Sequence, residues 1–551
     1  MSLYSIGLSG LRAAQNALST TSNNITNVYT DGYNRQLTLL SESSTGGSMG
    51  SGVNVDAIQR QYNEYISTQL NQAESRQTSL ETYQTQINQI DDLLADSDSG
   101  LNALMQNFFS SIEDLTGSPA DPAARQGVLG SAQSLVAQFR SYDNYLTDMQ
   151  DGINSQVGDV VTQVNNLSSQ VADLNRQITV ARARSGEEPN SLLDQRDKLI
   201  NDMSQLVDVD VTVQDGSTYQ VSLGNGLSLV AGNRAYELAA IQDQADPEAV
   251  TVGYRDGSNN VLQIDEGVIG GGELGGLLSF RHDTLDGVQN RLGQLAISVG
   301  GSFNAIQEQG FDLDGEAGEA FFSLGAPTAK SNDRNRGDVE MAVRFTGDDA
   351  VAAGETRSYS GVTADDYRVT FEDGNYQLEN LTSGRKETLT LDGDELQFGG
   401  VTVTVSGTPE EGDSFLVQPT RNGASGFDVA FTDTSKLAAA GGEYSGSGDN
   451  SNALRLLDLQ QSNLVGGRAT FNAAYASMVS SVGNQTAITQ ANLATQEGLR
   501  DQIYSYQQAE SGVNLDEEYA NLMRYQQYYS ANAKVIEAGT TTLDTILGLR
   551  S

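Results

Sequence analysis

The one histidine of the chain, His282, stands beside Asp283. A Ser–His–Asp triad would have to use this imidazole, and a metal site needing several imidazoles cannot be built at all. Its place inside a long helical pattern favours a packing or surface role. A second candidate is Gly270-Gly271-Gly272-Glu273-Leu274-Gly275, which fits G-x-G-x-x-G ahead of a helix, where backbone N–H groups bind phosphate. Two features oppose a nucleotide: the helix that follows is far longer than a βαβ crossover, and Glu273 inside the loop repels phosphate. The segment reads as a glycine-rich return from strand to helix. A third, Asp312-Leu313-Asp314-Gly315-Glu316, opens like a calcium loop. An EF-hand places Gly sixth and Glu twelfth, positions held here by Ala317 and Ser323. Carboxylate pairs are abundant, so counting does not exclude a carboxylate-only hydrolase, yet no constellation singles one out. Cysteine is absent, which removes disulfides, thiolate nucleophiles and Cys-type metal centres together. The expectation is a chain without catalytic residues, cofactor or metal.

Composition narrows the partners. The 551 residues are too many for one core and suggest about three or four domains. With 31 basic and 72 acidic residues the net charge is −41, which repels nucleic-acid phosphates and anionic membrane surfaces. Its simplest consequence is solubility through self-repulsion. No apolar run is long enough to span a bilayer, so no membrane insertion is expected. The start, Met1-Ser2-Leu3-Tyr4-Ser5-Ile6, lacks the basic and apolar regions of a cleaved signal. Taken alone, that points to the cytoplasm.

The elements that must position any site are mostly long helices. Gly is abundant at 58 and Pro scarce at 7, as suits long helices joined by glycine turns. At the N-terminus Tyr4, Gly7, Leu11, Ala14, Leu18, Thr21, Ile25 and Val28 alternate three- and four-residue steps, the repeat of a coiled-coil seam. At the C-terminus Leu515, Tyr519, Leu522, Gln526, Tyr529, Ala533, Ile536, Thr540, Leu543 and Leu547 do the same. Asp516-Glu517-Glu518 puts acid in the first turn of that helix, as the helix dipole prefers. Matched stripes at both ends, one with few charges, favour a role between subunits.

Between them, Leu80 to Leu94 predicts one helix, Asp121-Pro122 opens a second with Val128 to Met149 as its stripe, and Val157 to Ile178 a third. Period-two alternation (Val207, Val209, Val211, Val213) predicts strands over 207–270, and again at roughly 338–432. The predicted fold is α+β and multidomain: an elongated long-helix bundle formed by both chain ends, with inserted β domains. Its expected units are a terminal coiled-coil half (1–40), helical body (41–206), β region (207–270), returning helix (271–325), second β domain (326–440), helical body (441–512) and the other coiled-coil half (513–551).

Specific motifs flank the seams. Ser9-Gly10-Leu11-Arg12-Ala13-Ala14-Gln15 leads into Ser22-Asn23-Asn24-Ile25-Thr26-Asn27-Val28-Tyr29-Thr30-Asp31-Gly32-Tyr33-Asn34-Arg35-Gln36. This closely resembles the N-terminal signature of bacterial flagellar axial proteins, the rod, hook and hook-associated subunits. Val513-Asn514-Leu515-Asp516-Glu517-Glu518-Tyr519-Ala520-Asn521-Leu522 and Leu543-Asp544-Thr545-Ile546-Leu547 look like that family's C-terminal signature. The family often has Ala, Asn and Pro where this chain has Thr26, Tyr29 and Asp31. Length, helical body and two β regions resemble the hook-associated junction branch, as do Leu274-Gly275-Gly276-Leu277-Leu278 and Ala320-Phe321-Phe322.

The resemblance implies a structural, non-enzymatic subunit at the hook–filament joint, with another axial subunit of hook or rod type, or a secreted adhesive module, as the alternatives. Its implied partners are copies of itself in a ring or tube, the hook subunit, a second hook-associated junction protein and a cytoplasmic export chaperone. It also moves the expected location outside the cell, to the flagellum, by type III export without a cleaved signal. Leu11, Leu18, Ile25, Val28, Leu515, Leu522, Tyr529, Ile536, Leu543 and Leu547 are then the assembly residues. Asn23, Asn24, Asn27, Gly32 and Tyr33 carry the motif, the asparagines expected to end the helix and fix the turn. The seams bury little apolar surface in a monomer, so they are expected to fold on assembly.

Overall fold

The computed structural model describes residues 3–43, 52–95, 100–214, 218–349 and 357–548. Most of the Ser/Gly-rich loop expected at 41–52 lies outside them. Helix α1 (Leu3–Thr26) is followed by a hairpin of β1 (Gln36–Glu42) and β2 (Val53–Arg60). The hairpin packs on α1, Thr38 Oγ1 donating to Thr20 Oγ1 at 2.9 Å and Val53 N donating to Ser9 Oγ at 3.3 Å. The body then begins with α2 (Glu64–Leu94), capped by the Asn63 side chain, and α3 (Leu101–Gly117).

Helix α4 (Pro122–Ser185) is one continuous helix where the pattern predicted two. At 1.5 Å per residue it is about 96 Å long. Asp121 caps it, and Gly186 ends it with φ 71°. It stays unbroken because its buried stripe, Val128 through Met149 to Val157 and Ile178, keeps phase across Gly152. Helix α5 (Asn190–Leu206) turns back along it.

The first β region is two antiparallel sheets. One runs β3 (Val209–Val213), β4 (Tyr219–Leu223), β5 (Ser228–Ala231), β6 (Arg234–Ala235); the other β7 (Leu238–Gln242), β8 (Val250–Arg255), β9 (Val261–Gln263). Three asparagines of α4 dock both sheets by using their amides as strand edges. Asn154 donates to Glu248 O and accepts from Val250 N, both at 2.9 Å. Asn165 brackets Leu238 in the same way at 2.9 and 2.8 Å, and Asn175 brackets Tyr219 at 2.9 and 3.2 Å. Backbone groups buried against the helix are thereby satisfied, which leaving them bare would make costly.

Helix α6 (Gly272–Phe280) passes through a π-turn at Arg281–Leu285 into α7 (Asp286–Gln307). The second β domain holds β10 (Phe322–Ser323), β11 (Thr328–Ser331), β12 (Glu340–Phe345), β13 (Tyr367–Glu372), β14 (Asn375–Asn380), β15 (Lys386–Leu389), β16 (Glu395–Phe398), β17 (Val401–Ser406), β18 (Ser414–Gln418) and β19 (Asp428–Val429). Its main sheets are ordered β11-β18-β13-β14-β15 and β12-β17-β16. It has its own core around Val369, Val401, Val403 and Val417. Buried Arg421 ties it to α7, bonding Asp286 (2.7 Å), Gln289 (2.6 Å), Asn290 (2.9 Å) and Asp366 (2.8 Å).

The chain closes with α8 (Ser451–Asp458), α9 (Phe471–Ser511) and α10 (Leu515–Gly548). One continuous apolar core joins α2 to α9 and includes no residue of α1 or α10.

On α4, burial pushes the Asp143 carboxyl up to about 6, with Arg421 pulling it down. A carboxyl raised above its unfolded value makes the fold bind a proton, so stability rises as pH falls through 6 toward 4. The Asp143→Asn chain is expected to lose that slope, read as thermal melting at pH 5 against pH 8.

Candidate assembly site

The terminal helices pair antiparallel. A Cβ added at Gly7 would lie 2.7 Å from Ile536 Cγ1, one at Gly10 2.2 Å from Asn532 Oδ1, and Gly539 lies against Leu3 and Tyr4. Of the buried residues of α1, Gly7, Gly10, Ala14, Ala17, Thr21 and Asn24 form a row in three- and four-residue steps, with Ala13 and Thr20 buried beside it. Within the monomer, α10 meets a different row of α1 from the predicted seam. The expected seam shares Gly7, Ala14 and Thr21 with the observed one, but Leu11, Leu18 and Ile25 sit one residue further round, half-buried at the rim. The reason is steric: α10 brings Ile536 and Asn532 inward, so the facing side must be small. On α10, Leu515, Leu522 and Ile536 are half-buried. Tyr529, Leu543 and Leu547 are 39%, 54% and 57% exposed, the last two beyond the start of α1.

The motif residues build the joint below this pair. Asn24 is 1% exposed and makes four hydrogen bonds. Its Nδ2 donates to Gln36 O (2.9 Å) and Glu518 Oε2 (3.1 Å); its Oδ1 accepts from Gln36 N (3.0 Å) and the Tyr33 hydroxyl (2.8 Å). It thus fastens α1 to the hairpin, the turn and α10 at once. Burial pushes the Tyr33 phenol far above its ordinary range, so it stays a donor. Asn27 closes the helix end: its Nδ2 donates to Asn23 O at 3.0 Å and its Oδ1 accepts from Thr30 Oγ1 at 3.1 Å. Asn23 contributes that carbonyl while its side chain is exposed. Gly32 holds φ 74° in the turn, against Lys198. Val28 lines a cleft of about 490 Å³ between this turn, α2 and α5.

Several residues of the joint were not picked out as site residues. Arg35 pairs with Glu517 (2.8 Å) and buried Glu518 (2.9 Å), and its N–H donates to Ser511 O (2.9 Å). Asn34 donates to Asp194 at 2.7 Å, and Arg60 bridges Asp194 (3.0 Å) and Asp197 (2.6 Å) on α5. Burial raises the Asp194 carboxyl, with Asn34 and Arg60 drawing it back down. Glu518 carried only a weak signal: it stands one residue before the seam position Tyr519, on the same side of the helix as Leu515 and Leu522. Asp194 and Asp197 carried none without the contact itself.

The features read first as chemistry are placed elsewhere. The Gly270–Gly275 loop backs onto the Leu206–Val207 backbone, filling the space a phosphate would need. Asp312 Oδ1 accepts from Asp314 N (2.8 Å) and Glu316 N (2.9 Å), a closed acidic turn. His282 is exposed on the π-turn.

Comparison with known proteins follows this layout. The flagellar hook-associated protein FlgK helical domain matches residues 87–322, and the flagellar hook-associated protein 1 D2-like domain 332–419. The ends match the flagella basal body rod protein over 5–34 and the basal body rod FlgEFG protein C-terminal model over 507–549. The flagellar hook-associated protein 1 of Escherichia coli (strain K12) is 42% identical over 556 residues, covering 100% of both chains. That of Bacillus subtilis (strain 168) is 26% identical, covering 69% of this chain and 81% of its own. Among solved structures, the flagellar hook junction protein FlgK from Burkholderia pseudomallei superposes with TM-score 0.73 at 27% identity, covering 81% of this chain and 100% of that one. The chain belongs to the flagellar hook-associated protein 1 family.

Proposed function

We propose that this chain is a structural subunit of the bacterial flagellum, without catalytic function, that forms the junction between hook and filament and assembles through its paired terminal helices. The observation that carries this reading is the apolar surface left uncovered on α10. Tyr519, Met523, Tyr528, Leu543, Ile546 and Leu547 are each more than half exposed. So many large apolar side chains left uncovered around one helix mark it as an interaction element with more than one neighbour to meet. The match of the body to a hook-associated helical domain favours this over a hook- or rod-type subunit, whose models match only the ends.

Copies of the same chain in a ring or tube, the hook subunit and a second hook-associated junction protein are the proposed partners. Export by the flagellar type III route, with a cytoplasmic chaperone on the C-terminal segment, is part of the same reading. A chain lacking cysteine suits passage in unfolded form.

The α1–α10 pair is a narrow seam outside the body's core, so it opens at low cost before assembly. Hydrogen exchange on the monomer is expected to be fast over 5–28 and 515–547 and slow over 128–178; slow exchange in the first two would overturn folding on assembly. Electron microscopy of cells lacking the protein tests the function. Hooks without filaments, with flagellin shed into the medium, are expected; normal filaments would refute it.

A further inference from the structure

Helix α10 outruns the helix it pairs with. Its Gly539 lies against Leu3 and Tyr4 at the start of α1, and α10 then continues to Gly548. At 1.5 Å per residue that overhang is about 14 Å long. On it Leu543, Ile546 and Leu547 are 54%, 60% and 57% exposed. Leu543 and Ile546 follow Ile536 and Gly539 by seven residues, and Leu547 follows Ile536 by eleven, each close to a whole number of turns. The side of α10 that α1 covers lower down therefore runs on bare and apolar past the end of α1.

The same terminal unit carries a hollow of matching character. Where α1, α10 and the β1–β2 hairpin meet, about 250 Å³ is left open, and among the described residues no charged group lines it. Buried Gly10 and Ala13 lie deep in it, while Leu40 and Tyr528, 46% and 52% exposed, stand at its mouth. A cavity of about 150 Å³ already holds a benzene-sized guest, so this one admits a leucine or isoleucine side chain. In a chain with net charge −41, an apolar end and an uncharged apolar hollow on one small unit are a matched pair.

The two cannot meet within one molecule. Asn532 of α10 lines the hollow, and Ile546 lies further along the same unbroken helix, about 20 Å away. An end that fits a hollow on its own kind, but not on itself, makes a head-to-tail contact, and such contacts propagate into rings or tubes instead of closing as a pair. Both surfaces also continue the α1–α10 seam.

We propose that the overhang of α10 in one copy inserts Ile546, flanked by Leu543 and Leu547, into the hollow between α1, α10 and the hairpin of a second copy. This rests on the flagellar reading above and specifies how its copies mate. Neighbouring copies are then displaced by about 20 Å along α10. The hollow exists only while its three walls are together, so each inserted end holds the next copy's seam closed.

The chain has no cysteine, so introduced pairs can be read without background. In cells whose only copy is the full chain with Leu40→Cys and Ile546→Cys, mild oxidation of isolated flagella is expected to give a ladder of dimers and larger species. Neither single variant should do so, nor the pair Ser19→Cys with Ile546→Cys, since Ser19 is exposed on the far side of α1. Ile546→Asp is expected to lower the share of hooks that bear filaments at least tenfold, and adding Leu40→Lys to recover at least half of that loss. Monomer alone in filament-bearing hooks, a bond within one chain, equal linking of the control pair, or a bond only to a chain of another mass would each overturn the contact. So would normal filaments with Ile546→Asp, or no recovery in the double variant. Filaments in cells lacking the chain altogether would instead remove the reading on which the contact rests.

Discussion

Ile536→Asp is expected to abolish assembly while leaving the body folded. Ile536 packs over Gly7 where α1 and α10 approach closely, and the facing backbone offers no cation. A carboxylate placed there loses water without gaining a partner, and an uncompensated buried charge costs about 3–5 kcal/mol. Ile536 is only half-buried in the monomer, so much of that cost falls on the assembled state, in which neighbours cover it. The body's core runs from Tyr83 to Val482 and excludes both helices, so its melting should not move. Gly10→Leu reaches the same end by bulk, since even a Cβ there would lie 2.2 Å from Asn532 Oδ1. Leu522→Asp should behave like Ile536→Asp. Secretion of the variant into the medium, with hooks that bear no filament, is the expected phenotype. Normal motility in all three would rule out the seam as the assembly surface.

Asn24→Leu is the second large effect. It removes four hydrogen bonds together and leaves the Gln36 backbone, the Tyr33 hydroxyl and one Glu518 oxygen to find other partners. Buried groups stranded in this way cost about 1–3 kcal/mol each, not additively, so a loss of about 3–5 kcal/mol in the joint is expected. Asn24→Asp keeps the shape but sets a carboxylate against Glu518, and should be worse above pH 5 than below it. The neighbouring asparagines make the control. Asn27→Ala loses only exposed contacts at the helix end, about 1 kcal/mol, and Asn23→Ala should be nearly silent. Proteolysis between the hairpin and α2 in the assembled protein, where the joint is closed, reads all four; equal sensitivity in the three alanine or leucine variants would contradict a special role for Asn24.

Much of this architecture is legible in the residues. The seams at both ends, the cap at Asp121-Pro122 and the alternation over 207–213 each follow from local periodicity, which is written in one segment at a time. What periodicity cannot choose is phase between two equally spaced rows. Bulk favoured Leu11, Leu18 and Ile25, whereas α10 required the small row, and only the partner's shape decides that. Helices α3 and α5 fell outside the seam reading for different reasons. The first crowds Met105, Phe108, Phe109 and Ile112 on a short span, and the second mixes polar Asn190, Asp194, Arg196 and Ser204 into its buried face, which blurs the apolar stripe. Arg60, Asp194 and Asp197 meet across about 135 residues of chain, and their types are unremarked in an acidic sequence.

The asparagines of α4 have a consequence for how this molecule can change length. Positions 154, 165 and 175 are spaced by eleven and ten, close to three turns of 3.6 residues, so all three amides face one way. The helix therefore works as a gauge with three marks, each set against one turn or strand of the inserted sheets. Removing a single residue between two marks would swing the next one by about 100° and shift it about 1.5 Å. Losing three or four would restore the direction but not the height. An insertion or deletion tolerated in any loop of this protein is thus barred from the middle of its longest helix, where lengths come only in whole settings.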